Sequence, residues 1–574
     1  MLRDPWTEME DDLRDIRRRA EEKLAVEHLD IPLEIPPEGR GDICFPAFQY
    51  SQALKASPED CAERIVSAMG TGKYFSKHEA ARGYVNSFID WRKLTPQVVE
   101  SILSLGPEFG GLEPKDEKIL LEHTSVNPTG PIHIGRSRNS IIGDTLARVL
   151  RRAGHDVTTE FLVNDTGRQM VVLMWATQNI SEDELPKAGR DKDDHLIVRY
   201  YRKAYEILES DPTLERTIEE LVLKLDRGEE KIVGEVKAVA EKVMKGMVST
   251  LEEIGVSLDS YFWESRTILD GTVHEVIESL KRSDCAHSDE GAYYLDLEPF
   301  GIDGWDARFF FTRRDGTSLY TTRDIAYHLG KFKRCDIAIN VLGEDQKLGM
   351  KQLTLALDMM GVEKRPETVF YAFVSLPTGK MSTRSGTTVL LDDLIDESRA
   401  RAAEEVKKRR PELSPERIES IANIVGTGAV RYNILRVQPE KKIVFKWEEA
   451  LNFDGNTAPF IQYSHARACS ILRKAPGRTG KDYGLLAHPS EIQLVSTLSR
   501  FPSVIRNCAG SLRVHSLASY AYDLSSSFNQ FYRDCGVIRA KQELRDARGA
   551  LVECTKIVLA SCLDTMGIQA PEEM

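Results

Sequence analysis

No apolar run in these 574 residues approaches the ~18 needed to cross a bilayer, so no transmembrane helix is expected. Cysteine is sparse: there are nine, an odd number, and none forms a Cys-x-x-Cys pair. That speaks against a disulfide scaffold or a zinc ribbon and for reduced thiols. Positive charge is in deficit, with 77 Lys and Arg against 90 Asp and Glu, a net charge of −13. Nucleic acid could then be bound only through local basic patches. The opening segment, MLRDPWTEMEDDLRDIRRR, has no apolar signal-peptide core, and a cytoplasmic location is expected. Internal repeats and low-complexity stretches are missing too. What remains is an ordinary globular balance over a length suited to about three or four domains.

Leu13, Ile16, Ala20 and Leu24 recur at helical spacing, which predicts an amphipathic helix over 9–28 with Arg14, Arg17, Arg18 and Arg19 on the other face. Short mixed elements follow. Gly106, Pro107, Gly110, Gly111 and Pro114 punctuate the chain, placing a boundary near 112 and setting off residues 1–112 as a small α+β domain. Beyond it, strand-like Lys118–Glu122, helical Ser137–Ala153 and strand-like Val157–Val163 alternate. Strand-like Asp336–Leu342 and Val369–Leu376 follow, with a helix near Gln346–Met360 between them. This rhythm predicts an α/β catalytic domain over 113–410 built on a doubly wound, Rossmann-type parallel sheet. A helical insertion, about 170–265, interrupts it; Ile232, Val236, Val239, Val243, Met247, Leu251 and Ile254 make one stripe. Residues 411–574 read as all-helical.

Two stretches carry chemistry. In EHTSVNPTGPIHIGRSRNS a strand ends at Glu122 and a helix begins near Arg136 or Ser137. His133, Gly135 and Arg136 then lie at a helix N-terminus, where free N–H groups and the dipole attract phosphate. In GKMSTRSG, after another strand, Lys380, Met381, Ser382 and Arg384 form a loop suited to clamping departing pyrophosphate. Alone, each has a bland reading: a loop glycine beside a capping histidine, and a solvated basic loop. Together, in this order and each after a βα unit, they are far more specific.

HIGR and KMSTR resemble the two signatures of class I aminoacyl-tRNA synthetases. FLVNDTGRQM, SLYTTRDIAYHLGKF, FDGNTAPFIQYSHARACSILRK and LDTMGIQAPEEM narrow the resemblance to the arginyl-tRNA synthetase family of archaeal type. It implies ATP as substrate, with Mg2+ accompanying the nucleotide, no zinc, and attachment of L-arginine to its tRNA through an arginyl-adenylate. It assigns His133, Arg136, Lys380 and Ser382 to catalysis, and ATP binding to these with Gly135 and Met381. Tyr320 and Asp324 would bind the guanidinium, Glu122 would add a second acidic contact, and Ser125, Asn127 and Gln346 would hold the other end of arginine. A guanidinium is a planar fork of donors that calls for carboxylates, and Tyr320 and Asp324 share a face if a helix begins there. Their bland reading is a helix-start aspartate beside a packing tyrosine.

The resemblance also implies that the N-terminal domain, with GDICFPAF, contacts the tRNA elbow. Phe460, Tyr463, Tyr532 and Met574 would lie around the anticodon, where aromatic rings can stack on unpaired bases. Leu517, Tyr520, Leu524, Phe528 and Phe531 read instead as core. A monomer is expected. Two positions depart from the signatures: Arg136 stands where the family normally has His, and Thr383 where it has the second Lys. Arg136 keeps a cation near the phosphates but cannot give up its proton. It leaves open a catalytically silent relative that binds tRNA or arginine. A non-synthetase nucleotidylyltransferase would share the first signature but would not call for the long helical C-terminal region.

Overall fold

The computed structural model describes residues 4–37, 39–375, 389–474 and 480–574. The first helix runs Pro5–Lys23: Asp4 caps it, accepting from the Trp6 and Thr7 N–H groups, and proline enters its first turn. Met9, Leu13, Ile16 and Ala20 are buried as the period requires. Arg17 departs from the expected charged face. It is buried, donates to the carbonyls of Ile31 (2.9 Å) and Leu29 (3.0 Å) and pairs with Glu21. This helix packs on a helix at Pro58–Ala68 and a three-stranded antiparallel sheet, so the N-terminal region is α+β.

The centre is a five-stranded parallel sheet: β1 Lys118–Glu122, β2 Asp156–Val163, β3 Ser260–Trp263, β4 Ile337–Gly343 and β5 Glu367–Tyr371. Their order is β5-β4-β1-β2-β3, with register Ile337 to Ile119 between β4 and β1 and Lys118 to Asp156 between β1 and β2. The chain reverses its direction of winding between β1 and β4, and a ligand crevice opens at the carboxyl ends there. Helix α1, Ile134–Arg152, connects β1 to β2; helix α2, Tyr320–Phe332, leads into β4.

The insertion enters after β2 as helices Gly167–Asn179, Asp193–Ser210, Pro212–Asp226 and Glu230–Glu253. The last buries the whole stripe from Ile232 to Leu251. A second excursion, between β3 and β4, holds a three-stranded antiparallel sheet that the sequence did not announce. Its hairpin turns at Glu290 (φ 49°) and Gly291 (φ 92°). Two successive positive φ values usually advertise themselves as Asn-Gly or Asp-Gly, and Glu-Gly does not.

The C-terminal region is helical apart from Ile443–Val444, which pairs in parallel with Val374–Ser375. Leu517, Tyr520, Leu524, Phe528 and Phe531 are buried, as expected of core. Two buried arginines tie this region to the sheet. Arg138, on α1, donates to the carbonyls of Ala372, Lys441 and Gln438 at 2.6–2.7 Å. Arg431 joins Asp144 of α1 (2.5 Å) to the carbonyls of Ile254 and Met566 (2.8 Å each). Among the described residues, no helix is long and apolar enough to cross a membrane.

Candidate active site

The site begins where β1 ends. Thr124 and Ser125 follow with φ of 74° and 25°, a left-handed conformation costly for residues with a Cβ. The turn is held by its neighbours. Asn139 of α1 accepts from the Thr124 N–H (2.7 Å) and donates to the Val341 carbonyl of β4 (2.8 Å), while Thr124 Oγ1 donates to Ser140 (3.0 Å). Ser125 Oγ accepts from the Leu162 N–H at 3.1 Å, and Asn127 is exposed, donating to Gln169 at 3.0 Å.

Helix α1 starts at Ile134, two or three residues earlier than the expected start near Arg136 or Ser137, because His133 is extended and serves as its N-cap residue. His133, Gly135 and Arg136 therefore span the cap and first turn, at the positive end of the helix dipole, which favours an anion. The imidazole lies against Gly135: a Cβ there would come within 3.1 Å of it. Burial, and then the Arg136 charge, push His133 down to about 4, so it is neutral at pH 7. It can donate from one ring nitrogen but brings no charge. The charge belongs to Arg136, whose guanidinium lies 5.8 Å from the Phe373 ring centroid.

Lys380, Met381, Ser382, Thr383 and Arg384 lie outside the described residues. The residues that follow them are placed against the first signature. The Ile134 N–H donates to the Val389 carbonyl (3.1 Å), and the Leu391 N–H donates to the Ile132 carbonyl (2.8 Å). A bridge pairs His133 with Leu390. Two stretches some 250 residues apart in sequence thus meet at one helix N-terminus.

Helix α2 opens at Tyr320, so Tyr320 and Asp324 share a face, one turn apart. Tyr320 is 69% exposed and lines a cleft of about 290 Å³ with Asn127, Gln169, Arg313 and Arg323. The Asp324 side chain is 40% exposed and faces His328 Nδ1 at 3.1 Å. Glu122 is placed differently from an open ligand contact. It is buried and meets the fully buried Lys331 ammonium at 2.5 Å. Lys331 continues to Asn340 (2.6 Å), and Asn340 to His328 (2.9 Å), so a polar chain links Glu122 to Asp324. Gln346 is exposed in a single turn just past β4, donating to Asp345 at 3.1 Å.

Glu264 is a residue the sequence reading missed. It sits just past β3, buried, hydrogen-bonded by Thr166 and 3.2 Å from Arg323. Burial raises its pKa, Arg323 and Thr166 oppose this, and the charges of Asp165 and Asp324 add to the rise. A second carboxylate close to Asp324 suits a cationic ligand, but nothing in the string FWESRT marks it out.

Far from this cleft, Tyr463 and Tyr532 stand 42% and 46% exposed with the Arg467 guanidinium between them, 4.7 and 4.9 Å from the two ring centroids. Phe460 is on the same helix, half-buried against Tyr522 at 5.4 Å. The tail that carries Met574 lies along the same helix, with the Pro571 carbonyl bonded to His465 (2.9 Å) and Glu573 paired with Arg473 (3.4 Å). Met574 packs on the cluster of Ala402, Val406, Leu451 and Phe453, and its carbonyl accepts from Arg410 at 2.5 Å.

A helix N-terminus carrying a guanidinium at the switch point of a parallel sheet defines a nucleotide-binding protein of the doubly wound class. The tRNA synthetases class I (R) catalytic domain matches residues 98–447. The DALR anticodon binding domain matches 461–574, and the arginyl tRNA synthetase N terminal domain matches 8–89. An arginine–tRNA ligase from Methanocella arvoryzae is 46% identical over 92% of both chains. One from Methanothermobacter thermautotrophicus is 41% identical over 99% of both. The solved arginyl-tRNA synthetase of Thermus thermophilus superposes with a TM-score of 0.83 at 27% identity, covering 98% of this chain and 99% of its own. The chain belongs to the arginine–tRNA ligase family of class I aminoacyl-tRNA synthetases.

Proposed function

We infer that this chain attaches L-arginine to its tRNA, activating the amino acid with ATP. The arginine carboxylate attacks the α-phosphorus in line, giving arginyl-adenylate and pyrophosphate, and the arginyl group then passes to the terminal ribose of the tRNA at its 2′-hydroxyl, releasing AMP. No side-chain nucleophile is needed; positioning and stabilisation of charge carry the rate. The observation that carries the reading is the bonding of Val389–Leu391 to Ile132–Ile134, which brings the flanks of two phosphate-handling motifs together at the start of α1.

In this reading ATP enters with magnesium and lies with its phosphates at the first turn of α1. His133 donates a neutral hydrogen bond, Arg136 supplies fixed charge, and Lys380 and Ser382 act on the departing pyrophosphate. Asp324 takes the guanidinium with Tyr320 against it, and Glu264, already paired with Arg323, adds buried negative charge behind it. Ser125, Asn127 and Gln346 hold the amino and carboxylate end. Glu122 acts through Lys331, fixing the floor of the pocket. Tyr463, Tyr532 and Phe460 offer stacking faces to anticodon bases, with Met574 closing that region from the chain end. The three regions bounded near residues 112 and 410 would work as elbow-contacting, catalytic and anticodon-binding domains of a cytoplasmic monomer.

The test is AMP formation from ATP with arginine, canavanine or lysine, with and without tRNA. Charging with arginine and canavanine but not lysine is expected, with pyrophosphate exchange that needs cognate tRNA, since Thr383 leaves the second motif one cation short. Brisk exchange with arginine and ATP alone would contradict the tRNA requirement, and equal use of lysine would overturn the guanidinium pocket.

A further inference from the structure

Away from the substrate cleft, a dense group of charges lies where the insertion meets the helix Leu391–Arg409. Asp392, in the first turn of that helix, is 5% exposed. Its Oδ1 accepts from Lys192 Nζ (2.6 Å) and Thr250 Oγ1 (3.1 Å), and its Oδ2 from His195 Nε2 (3.0 Å). Alongside, Arg190 donates to Asp393 (2.8 Å) and Asp396 (2.6 Å). All these partners belong to the insertion. Lys192 also stands 3.8 Å from Asp194, so its ammonium already supplies the cation among Asp194, His195 and Asp392.

The position of this cluster gives it meaning. The residues immediately before Asp392 are those bonded to Ile132 and Ile134 on either side of His133. The insertion helix that carries His195 also reaches the other flank of His133. Its Val198 sits so close to Gly130 that a Cβ there would come within 2.6 Å. The insertion therefore grips the segments before and after the backbone bridge at His133. Buried ion pairs add little net stability compared with apolar contacts of equal volume, whereas directional bonds specify one geometry.

We propose that Asp392, held by Lys192 and His195, is a positioning residue for adenylate formation: it sets the Val389–Leu391 bridge that aims the His133 ring. The proposal rests on His133 acting at the phosphates, as read above. Positional errors of about 1 Å at a reacting centre can cost on the order of 100-fold in rate. Asp392→Asn and Lys192→Met are therefore expected to lower kcat for tRNA-dependent pyrophosphate exchange by about 10- to 100-fold. The KM for arginine should stay within about threefold, because the Tyr320 cleft is untouched. Lys192→Arg, which keeps charge and donors, should restore most of the rate.

Arg399→Ala is the control. It breaks a 2.7 Å pair with Glu253 in the same interface, beyond the bridge, and should leave kcat unchanged. Circular dichroism and a melting curve on each variant separate misfolding from mispositioning, and the folded Lys192 variants decide if Asp392→Asn does not fold. Wild-type kcat in folded Asp392→Asn and Lys192→Met would overturn the proposal, as would equal losses in Arg399→Ala. His133→Ala distinguishes the underlying reading. If it is inactive while the Asp392 and Lys192 variants are normal, only the positioning role falls; if it is fully active, both fall.

Discussion

At the start of α1, the proposed phosphate end of the site, the Arg136 guanidinium lies over Phe373 and interacts with Tyr371, and no carboxylate pairs with it among the described residues. At the other end three buried acids are already paired: Glu122 with Lys331, Glu160 with Arg334 and Glu264 with Arg323. Asp324 differs from these: it is part-open, faces His328, and pairs with no Lys or Arg among the described residues. An incoming polyphosphate needs positive charge not yet neutralised by the protein. An incoming guanidinium needs one open acid in a floor that is otherwise electrically closed, because unpaired buried charge is costly. In the proposed site the two ends would reach selectivity differently, one through a cation with no carboxylate partner among the described residues and the other through a part-open acid beside acids that are already paired.

The sharpest way to break this contrast is Asp324→Asn. Loss of a charge-assisted contact in a part-buried site is worth about 2–4 kcal/mol, so kcat/KM for arginine should fall by ~30- to 1000-fold with little change in ATP use. An unchanged arginine KM and kcat would remove Asp324 from the pocket. At the other end, Arg136→Ala should lower adenylate formation by ~10²–10³, as when one preorganised donor to developing charge is lost. Arg136→His should stay within about tenfold of wild type but lose activity as the imidazole deprotonates, since only the guanidinium is charged at every working pH. A flat pH profile for the histidine variant would show that charge at 136 is irrelevant.

The sealed floor predicts a stability effect instead. Glu122→Gln strands the Lys331 ammonium, and breaking a buried pair costs about 3–5 kcal/mol, read as a lowered Tm. A normal Tm with a raised arginine KM would restore Glu122 to direct ligand contact. Fully buried His123 adds a pH dependence. Burial pushes it down to about 4, so the unfolded chain takes up its proton below 6.5 while the folded chain does not. Its contribution is present above pH 6.5 and declines as pH falls toward 4, by roughly 3 kcal/mol in all. Melting curves from pH 7.5 to 4.5 should show this slope, and His123→Gln should flatten it. The smallest effect concerns the first helix. Arg18→Ala, at an exposed position, should shallow the log K against log salt slope of tRNA binding by about 0.7–0.9. Arg17→Ala should instead destabilise the N-terminal domain, because that guanidinium is spent on two carbonyls.

Arg17 shows how far the sequence can be read. A run of four arginines at 14 and 17–19 looks uniformly exposed, and only the loop at Leu29–Ile31 folding back over the helix makes one of them structural. The same holds for Glu122, whose place at the end of an apolar strand was legible and whose partner, 209 residues away, was not. Short elements were lost for a related reason. The hairpin at Glu290–Gly291 and the two-residue strand Ile443–Val444 carry too few residues for periodicity to speak.

By itself the sequence determined the strand–helix alternation, the buried stripes, the four-residue spacing of Tyr320 and Asp324, and the cap-and-glycine chemistry at His133–Arg136. These depend on neighbours within a few residues, and local sterics and hydrogen bonding decide them. Only the tertiary structure decided which charges are free and which are spent. It brought Val389–Leu391 to His133, Lys331 to Glu122, Glu264 toward Asp324 and Lys192 to Asp392, because a buried charge takes whatever counter-charge the folded chain delivers, from any distance along it.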